Sequence, residues 1–316
     1  MEKNCDYTRR EHLIFPNPLK KGDTIGLVCP SSPTTKEKVA KSVEFMRSLG
    51  FNVKLGKSCL CELHGYLSGD ACIRADDINH MFADDTVKGI FCVRGGYGSS
   101  QLMTLLDYEM IRRHPKIFVG YSDVTNLLLA FFQLCGLVTF HGPMVASNFL
   151  EHFDSYTEES LWRTLNMGES LTFYNPPGRE LTSVKEGCAE GLLVGGNLSL
   201  VTSMIGTFYS PDFRGKILFL EEIGETVPKI HRMLDQLRLT GIIGQIRGVL
   251  LGDFTDCTNP YDSEYGVNEL FNDFFCPFKK PVISNIACGH SFPTATLPIG
   301  TFCTMDADIK KICFYR

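Results

Sequence analysis

The first half of the sequence alternates between short apolar runs and amphipathic segments, and this alternation constrains the fold more than any other feature. Each apolar run has the length of a buried strand, and the segments between them carry apolar residues at helical spacing. Strands that alternate with helices form a parallel sheet with right-handed crossovers. The runs that we interpret as strands are 24–30, 51–55, 87–93, 116–120 and 137–142.

The helices between these strands have signals of their own. Thr34 followed by Glu37 is a capping-box pattern, which predicts a helix that begins at Thr34 and stops at Gly50. Apolar residues at helical spacing predict further helices around 78–82, 102–106 and 124–136.

Residues 150–186 break this rhythm, because they are polar and aromatic and include Asn175-Pro176-Pro177-Gly178. We expect the link between two domains here. The predicted division is an N-terminal domain at 1–165, a linker at 166–186 and a C-terminal domain at 187–316.

The second half has strand-like runs at 216–222, 248–254 and 281–289, and its last residues alternate as antiparallel strands do. The predicted fold class is therefore α/β. It comprises an N-terminal parallel-sheet domain, flavodoxin-like or Rossmann-like, and a smaller mixed α/β C-terminal domain, with the active site between them.

Composition excludes several classes of protein. The net charge is −5 and no basic stripe marks a nucleic-acid surface. No run of about 18 apolar residues predicts a membrane span, and residues 1–15 lack the apolar core of a secretory signal. The 13 cysteines form no C-x-x-C pair and many lie in apolar runs. This favours free thiols in a reducing, cytoplasmic compartment and argues against a metal site.

The residues that follow each predicted strand are candidates for a site, because ligands of an open parallel sheet bind beyond the carboxyl ends of its strands. Arg94-Gly95-Gly96-Tyr97-Gly98 directly follows the strand 87–93. Its three glycines allow backbone N–H groups to approach a ligand closely. The run is equally compatible with an anion hole and with a tight turn between a strand and a helix.

A serine lies in the next strand-to-helix turn, Gly120-Tyr121-Ser122-Asp123. Such a turn exposes the serine at the sheet edge and directs N–H groups at the start of a helix toward an oxyanion. This is the logic of a nucleophile elbow, although the G-x-S-x-G pattern is absent. The alternative is a serine that caps the helix and stabilises it by about 1 kcal/mol.

His290 ends the predicted strand 281–289 and is a candidate general base, because histidine titrates near neutral pH. It would need a carboxylate to orient its ring. Glu221 and Glu222 end the strand 216–222, and neighbours on a strand point to opposite faces, so at most one of them can serve. The alternative for the histidine is a structural or solvated residue at a strand end, and for the glutamates a solvated strand end.

Taken in order, these motifs resemble the LD-carboxypeptidase family of serine peptidases, which includes the microcin-C immunity peptidases. The resemblance covers nearly the whole chain. The motifs of the first half are LKKGD (19–23), CPSS (29–32), GYLSG (65–69), Arg74 with Asp77, RGGYG (94–98), GYSD (120–123) and HGPM (141–144). Those of the second half are GGNLSL (195–200), FLEEIGE (219–225), HRML (231–234), Gly289-His290 and LPIG (297–300).

The resemblance implies a Ser-Glu-His triad made of Ser122, Glu221 and His290. It also implies that the backbone N–H groups of Gly96 and Asp123 form the oxyanion hole. The implied chemistry is acyl transfer from a peptide to the serine, followed by hydrolysis of the acyl-enzyme. The resemblance implies no metal and no organic cofactor.

Two positions depart from the family pattern, and neither belongs to the triad. Glu222 stands where the family often has an aspartate, and His231 replaces the aspartate that precedes Arg-Met-Leu. A carboxypeptidase must also recognise a free carboxylate, which suits the fork of an arginine. Arg94 and Arg232 lie in matched motifs and are candidates, although a structural ion pair is an equally good interpretation of each.

The implied function is a cytoplasmic serine carboxypeptidase that releases a C-terminal D-amino acid from murein tetrapeptide, in peptidoglycan recycling, and that forms a homodimer. No nucleic-acid or membrane partner is expected. One alternative is a microcin-C immunity-type peptidase that cleaves an aminoacyl-nucleotide amide, which would need an aromatic ring to stack on the base. The alternative of another class is a non-catalytic cell-wall-peptide binding protein, against which the intact serine, glutamate and histidine argue.

Overall fold

The computed structural model describes residues 13–316, so most of the N-terminal stretch that we interpret as lacking a secretory signal lies outside the described residues. The first half of the described chain contains five strands and five α-helices. The strands are β1 (Thr24–Val28), β2 (Asn52–Leu55), β3 (Val87–Cys92), β4 (Ile117–Gly120) and β5 (Thr139–His141). The helices are α1 (Lys36–Ser48), α2 (Ala71–Ala83), α3 (Tyr108–Arg113), α4 (Thr125–Cys135) and α5 (Ser155–Leu165).

The second half is richer in strands and has shorter helices. Its strands are β6 (Ser170–Thr172), β7 (Thr182–Lys185), β8 (Cys188–Asn197), β9 (Ile217–Ile223), β10 (Gly248–Thr255), β11 (Val282–Ser284), β12 (Leu297–Ile299), β13 (Phe302–Asp306) and β14 (Lys311–Tyr315). Its helices are α6 (Leu198–Met204), α7 (Val227–Leu239), α8 (Ile242–Gln245) and α9 (Val267–Phe275).

The first sheet has the order β12-β5-β4-β3-β1-β2 among the described residues. Strands β1 to β5 are parallel, and their order is that of the flavodoxin-like doubly wound fold. This confirms the predicted N-terminal parallel-sheet domain. The sixth strand, β12, comes from the second half of the chain and pairs antiparallel with β5.

The second sheet is mixed, as expected, with the order β6-β14-β13-β8-β9-β10-β11-β7 in the described chain. Strands β8 to β11 are parallel, and the others pair antiparallel. Strands β6 and β7 lie at the two edges, although both belong to the segment 166–186 that the sequence marks as a linker. The domain boundaries themselves stay a prediction.

Helix α4 lies between the two sheets and is buried along most of its length, which explains its largely apolar sequence. Leu128 and Phe131 pack into the core of the first sheet, while Leu129 and Phe132 pack into that of the second. Burying one side chain of this kind stabilises the fold by roughly 1.5–3 kcal/mol relative to leaving it exposed. The turn that immediately precedes α4 is therefore attached to a rigid element.

Three local expectations are wrong. Helix α1 is capped by Thr35, not Thr34, since the Thr35 hydroxyl accepts the N–H of Lys38 at 3.2 Å. The helix predicted around 102–106 is a single 3₁₀ turn at Ser99–Leu102, and α3 starts only after its own cap, Asp107.

The third error concerns the run 281–289, which is a strand only over Val282–Ser284. Asn285 has a φ of 61°, and this left-handed conformation turns the chain out of the sheet. His290 therefore lies on an irregular loop rather than at a strand end.

No described helix is long and apolar enough to cross a membrane. The described cysteines are free thiols and most of them are buried.

Candidate active site

The turn between β4 and α4 holds Ser122 in a strained conformation. Its φ is 61°, which is uncommon for a residue with a side chain and is concentrated at functional sites. A Cβ added to Gly95 would lie 3.2 Å from Ser122 Oγ, so the glycine-rich loop after β3 packs directly against the serine. The side chain of Ser122 itself is half-buried.

Asp123 ties this turn to the loops after two neighbouring strands. Its carboxylate accepts the Ser31 hydroxyl and the Ser99 N–H, at 2.5 and 2.8 Å. The Ser99 hydroxyl in turn donates to the Asp123 carbonyl at 2.6 Å. Burial raises the pKa of Asp123, and these hydrogen bonds oppose that shift. The side chain is thus a structural anchor, while its N–H lies in the first turn of a helix, where amides lack intrahelical partners.

The glycine-rich loop is closely packed where a side chain would not fit. Gly96 has a φ of +115°, and a Cβ there would lie 2.2 Å from Ser32 Oγ. Gly98 has a φ of +127°, and its Cβ would lie 2.6 Å from Arg74 Nη1. Within the part of the chain that the structure describes, the Gly96 N–H donates no hydrogen bond. It is therefore available to a ligand.

A buried arginine holds the loops around this site. Arg74 donates to the carbonyl oxygens of Pro30, Gly98 and Gly69 at 2.7, 2.8 and 3.2 Å. The remaining Nη2 donates to Gln101 Oε1 at 2.5 Å, and burial lowers the pKa of the guanidinium. In the sequence Arg74 stands out only as part of the family pattern, and in the structure it binds the loops that surround the site.

Glu221 and His290 form a buried pair. The distance from His290 Nδ1 to Glu221 Oε2 is 2.8 Å, and the carboxylate is fully buried. Burial raises the pKa of Glu221, which the neighbouring imidazole opposes. Burial alone would lower the pKa of His290, but the charge of Glu221 and its hydrogen bond raise it above the ordinary value.

Glu222 points to the other side of β9, as strand geometry requires. Its carboxylate accepts Asn197 Nδ2 at 2.8 Å, and the N–H and hydroxyl of Ser199 at 2.8 and 2.7 Å. It thereby binds the first turn of α6, where a carboxylate is also favoured by the helix dipole. Of the two adjacent glutamates, only Glu221 contacts the histidine.

The structure brings the Ser122 turn and His290 to the same place. The ring of Tyr121, the neighbour of Ser122, lies 4.7 Å from the His290 ring, centroid to centroid. Among the described residues, no hydrogen bond joins the Ser122 hydroxyl to that ring. Residues from β4 and β9 and from the loop before β12 thus converge on one site.

Two buried titratable residues near His290 are not among the site residues predicted from the sequence, although His141 belongs to the HGPM motif. His141 ends β5, and burial lowers its pKa to about 3. Asp253 lies on β10, and burial raises its pKa against the opposing effect of Arg179, whose Nη2 is 2.5 Å away. Both lie at or near the carboxyl ends of their strands, where ligands of such sheets bind, so the same rule points to them.

The two arginines proposed for carboxylate recognition are both exposed. Arg94 donates to the Pro33 carbonyl at 2.8 Å, and Arg232 lies on the outer surface of α7. Their role in binding a substrate stays a prediction.

Two further features lie at the opposite end of the second sheet from Glu221. One is a group of possible metal ligands, Cys188, Asp306 and Asp308, whose ligand atoms lie within 4.8 Å of one another. The other is a cleft of about 890 Å³ that borders this group and includes Arg247 and Lys280. Neither contacts the site around His290.

Comparison with protein families identifies the family to which this chain belongs. The model of the LD-carboxypeptidase N-terminal domain matches residues 25–142, and that of the LD-carboxypeptidase C-terminal domain matches residues 190–305. The chain belongs to the LD-carboxypeptidase family, as the motifs predicted, and this membership indicates a peptidase.

Individual relatives agree with this assignment. A probable murein peptide carboxypeptidase of Bacillus subtilis is 40% identical over 297 residues, which cover 93% of this chain and 92% of that protein. The structure of MccF in complex with glutamyl sulfamoyl guanosine superposes with a TM-score of 0.89 at 28% identity, covering 95% of this chain and 98% of that one. For a muramoyltetrapeptide carboxypeptidase from Oxalobacter formigenes the TM-score is 0.81 at 26% identity, covering 92% and 97%.

Proposed function

We propose that this protein is a serine LD-carboxypeptidase that removes the terminal D-amino acid from a murein tetrapeptide. The observation that carries the proposal is the buried Glu221–His290 pair beside a serine in a strained strand-to-helix turn. Murein peptide carboxypeptidases among the relatives support the choice of substrate.

The proposed reaction begins with transfer of the Ser122 hydroxyl proton to His290 Nε2, because Nδ1 faces Glu221. The serine oxygen attacks the scissile carbonyl, and Glu221 stabilises the imidazolium that forms. The hydrogen bond between serine and histidine in such sites often tightens only when substrate binds.

In this proposal the oxyanion accepts hydrogen bonds from the backbone N–H groups of Gly96 and Asp123. Each such donor is worth about 3 kcal/mol in comparable sites. The carbon–nitrogen bond then breaks, and His290 gives its proton to the leaving amine. Water hydrolyses the acyl-enzyme, with His290 again as the base, and restores Ser122.

The test is incubation with L-Ala-γ-D-Glu-meso-diaminopimelyl-D-Ala, followed by mass spectrometry, with the Ser122→Ala variant alongside. We expect the wild type to release one alanine and the variant to leave the peptide intact. Release by both proteins would refute Ser122 as the nucleophile. An unchanged peptide in both, from protein shown to be folded, would refute the proposed substrate.

A second candidate is hydrolysis of an aminoacyl-nucleotide amide by the same three residues. It is favoured by a pair of exposed aromatic rings next to Gly96: Tyr97 and Tyr66 lie 5.9 Å apart and are both about half exposed. Such rings are suited to stacking on a base, and MccF binds glutamyl sulfamoyl guanosine. Cleavage of such an amide, with loss of cleavage in a Tyr97→Ala variant, would favour this function.

A non-catalytic binding role is distinguished by a fluorophosphonate probe, which labels a reactive serine. Labelling that requires both Ser122 and His290 supports an enzyme. Cytoplasmic location is supported by the free thiols, whereas the homodimer rests on the family resemblance alone.

A further inference from the structure

The segment that the sequence marks as a linker is bound to the loop that carries His290. Its turn, Asn175-Pro176-Pro177-Gly178, is followed by Arg179, and both ends of this turn contact residues 285–287. The segment lies outside the two parts of the chain that the family models match. We call residues 175–180 the clamp and residues 285–290 the histidine loop.

Asn175 binds the histidine loop through both atoms of its amide. Its Oδ1 accepts the N–H of Ala287, and its Nδ2 donates to the carbonyl of Asn285, both at 2.8 Å. In the other direction, Asn285 Nδ2 donates to the carbonyl of Glu180 at 2.7 Å. These reciprocal bonds fix the register between the clamp and the loop.

Arg179 adds a second set of contacts. Its Nε donates to Asn285 Oδ1 at 3.0 Å, and its Nη2 donates to the carbonyl of Ile286 at 3.1 Å. The same Nη2 lies 2.5 Å from Asp253 Oδ1, on β10. The guanidinium thus joins the loop to the strand next to the one that carries Glu221.

The histidine loop needs such support because it belongs to no sheet. It leaves β11 at Asn285, with a φ of 61°, and turns again at Gly289, with a φ of 143°. A Cβ on Gly289 would lie 3.0 Å from Glu221 Oε2, so a small shift of the loop would change the contact between Glu221 and His290. Among the described residues, two backbone hydrogen bonds join the loop to β10: the Ile286 N–H donates to the Leu251 carbonyl, and the Asp253 N–H donates to the Cys288 carbonyl.

We propose that Asn175 and Arg179 are positioning residues that hold His290 in its contact with Glu221. The inference deepens the proposed function, because it concerns the base of that reaction. Neither residue contacts His290 directly in the structure; they act through the backbone of the loop.

Several charged or titratable groups lie on the elements around His290 and influence it, and the test must hold them constant. They are Glu221 and Glu222 on β9, Asp253 on β10, His141 on β5 and Tyr121 beside Ser122. Removing Arg179 would leave Asp253 without its partner and change this set. Removing Asn175 changes no charge, so Asn175→Ala reports on position alone.

For Asn175→Ala we expect kcat to fall about tenfold with KM within twofold, because misplacement of a catalytic group affects the chemical step. We also expect the acid limb of kcat/KM to move to lower pH. Glu221 raises the pKa of His290, so a looser contact lowers it, and the neutral base persists in more acidic solution. The matched control is Asn166→Ala. Among the described residues, the Asn166 side-chain amide bonds only to the Trp162 carbonyl of the preceding helix, so this variant should change neither quantity.

The rate of fluorophosphonate labelling of Ser122 provides a readout that needs no peptide, and it should fall by the same factor as kcat. A variant with a lower melting temperature but unchanged kcat, pH limb and labelling rate would overturn the inference and show a purely structural clamp.

If Asn175→Ala does not fold, Arg179→Lys provides a second test, because it keeps the positive charge near Asp253. This variant should lower kcat and the labelling rate at least threefold. No loss of either would overturn the inference.

These outcomes separate the inference from the proposed function. Labelling that depends on Asn175, in a protein that leaves the tetrapeptide intact, would support the clamp and refute the substrate. Cleavage of the tetrapeptide at equal rates by wild type and Asn175→Ala would support the function and overturn the clamp. Absence of both cleavage and labelling in the wild type would overturn both.

Discussion

A buried histidine that is not part of the proposed triad should make the protein sensitive to mild acid. His141 is about 1% exposed, and neither of its ring nitrogens has a hydrogen-bond partner among the described residues. Its ring lies 5.1 Å from that of Phe219 and 5.7 Å from that of Tyr121, centroid to centroid. Burial lowers its pKa from 6.5 to about 3, so it folds as the neutral imidazole.

The sign of the pH effect on stability follows from which state, folded or unfolded, binds the proton at the higher pH. As the pH falls below 6.5, the unfolded chain protonates His141 while the folded chain does not, so the free energy of unfolding decreases until the pH reaches about 3. The slope approaches about 1.4 kcal/mol per pH unit. Between pH 7.5 and 5.0 the contribution of this one group is a loss of about 2 kcal/mol.

The His141→Leu variant lacks this titration and also removes two unpaired polar atoms, so at pH 7.5 it should be within about 1 kcal/mol of the wild type or more stable. Urea unfolding, followed by both fluorescence and circular dichroism, gives the difference in unfolding free energy between the variant and the wild type at pH 7.5 and at pH 5.0. We expect the difference in unfolding free energy to move by about 2 kcal/mol in favour of the variant at pH 5.0.

The control is His80→Gln, which removes an exposed histidine near the end of α2. It gives the background change for the loss of one surface imidazole. A difference between wild type and His141→Leu that is the same at both pH values would refute the reasoning, because it would show that His141 accepts a proton in the folded protein.

Two further predictions concern the site. Gly96→Ala should fold, as judged by circular dichroism, but its kcat should fall about 100-fold. The reason is that a Cβ 2.2 Å from Ser32 Oγ must displace the Gly96 N–H. An unchanged kcat would refute a role for this amide. Glu221→Gln should lower kcat by about 10³-fold or more with little change in KM. Glu222→Gln should instead lower the free energy of unfolding by about 1–3 kcal/mol and keep kcat within about threefold of the wild type. The opposite pattern, in steady-state kinetics and urea unfolding, would reverse the assignment of the two glutamates.

The parallel strands and α4 were predictable because their signals are local and strong. Strands β1, β3 and β4 are short, mainly apolar runs that are almost entirely buried, and α4 is mainly apolar because two sheets enclose it. The error at α1 was one residue, since Thr34 and Thr35 both suit a cap and only the structure shows which hydroxyl accepts. The 3₁₀ turn at Ser99–Leu102 was missed because a tertiary bond, from the Ser99 N–H to Asp123, determines it.

The candidate site was predictable residue by residue but not as an assembly. A serine in a tight turn and two acids at a strand end follow from local pattern, and alternation along the strand already separated Glu221 from Glu222. Which glutamate faces His290 depends on pairing between distant strands. Asn285 shows the limit most clearly. Asparagine permits a left-handed turn but does not require one, so local pattern does not establish that the chain leaves the sheet at the fifth residue of 281–289.

The pairing of β12 explains how residues from two halves of the chain form one site. From His290 the chain runs seven residues to Leu297, which lies opposite His141 in the first sheet. On its other side, His141 lies opposite Gly120, two residues before Ser122. His290 and Ser122 are therefore connected through two strand pairs, β12 with β5 and β5 with β4, and both pairs include His141. The clamp holds the near end of this path and β12 the far end, which accounts for an irregular loop that nevertheless keeps a 2.8 Å contact with Glu221.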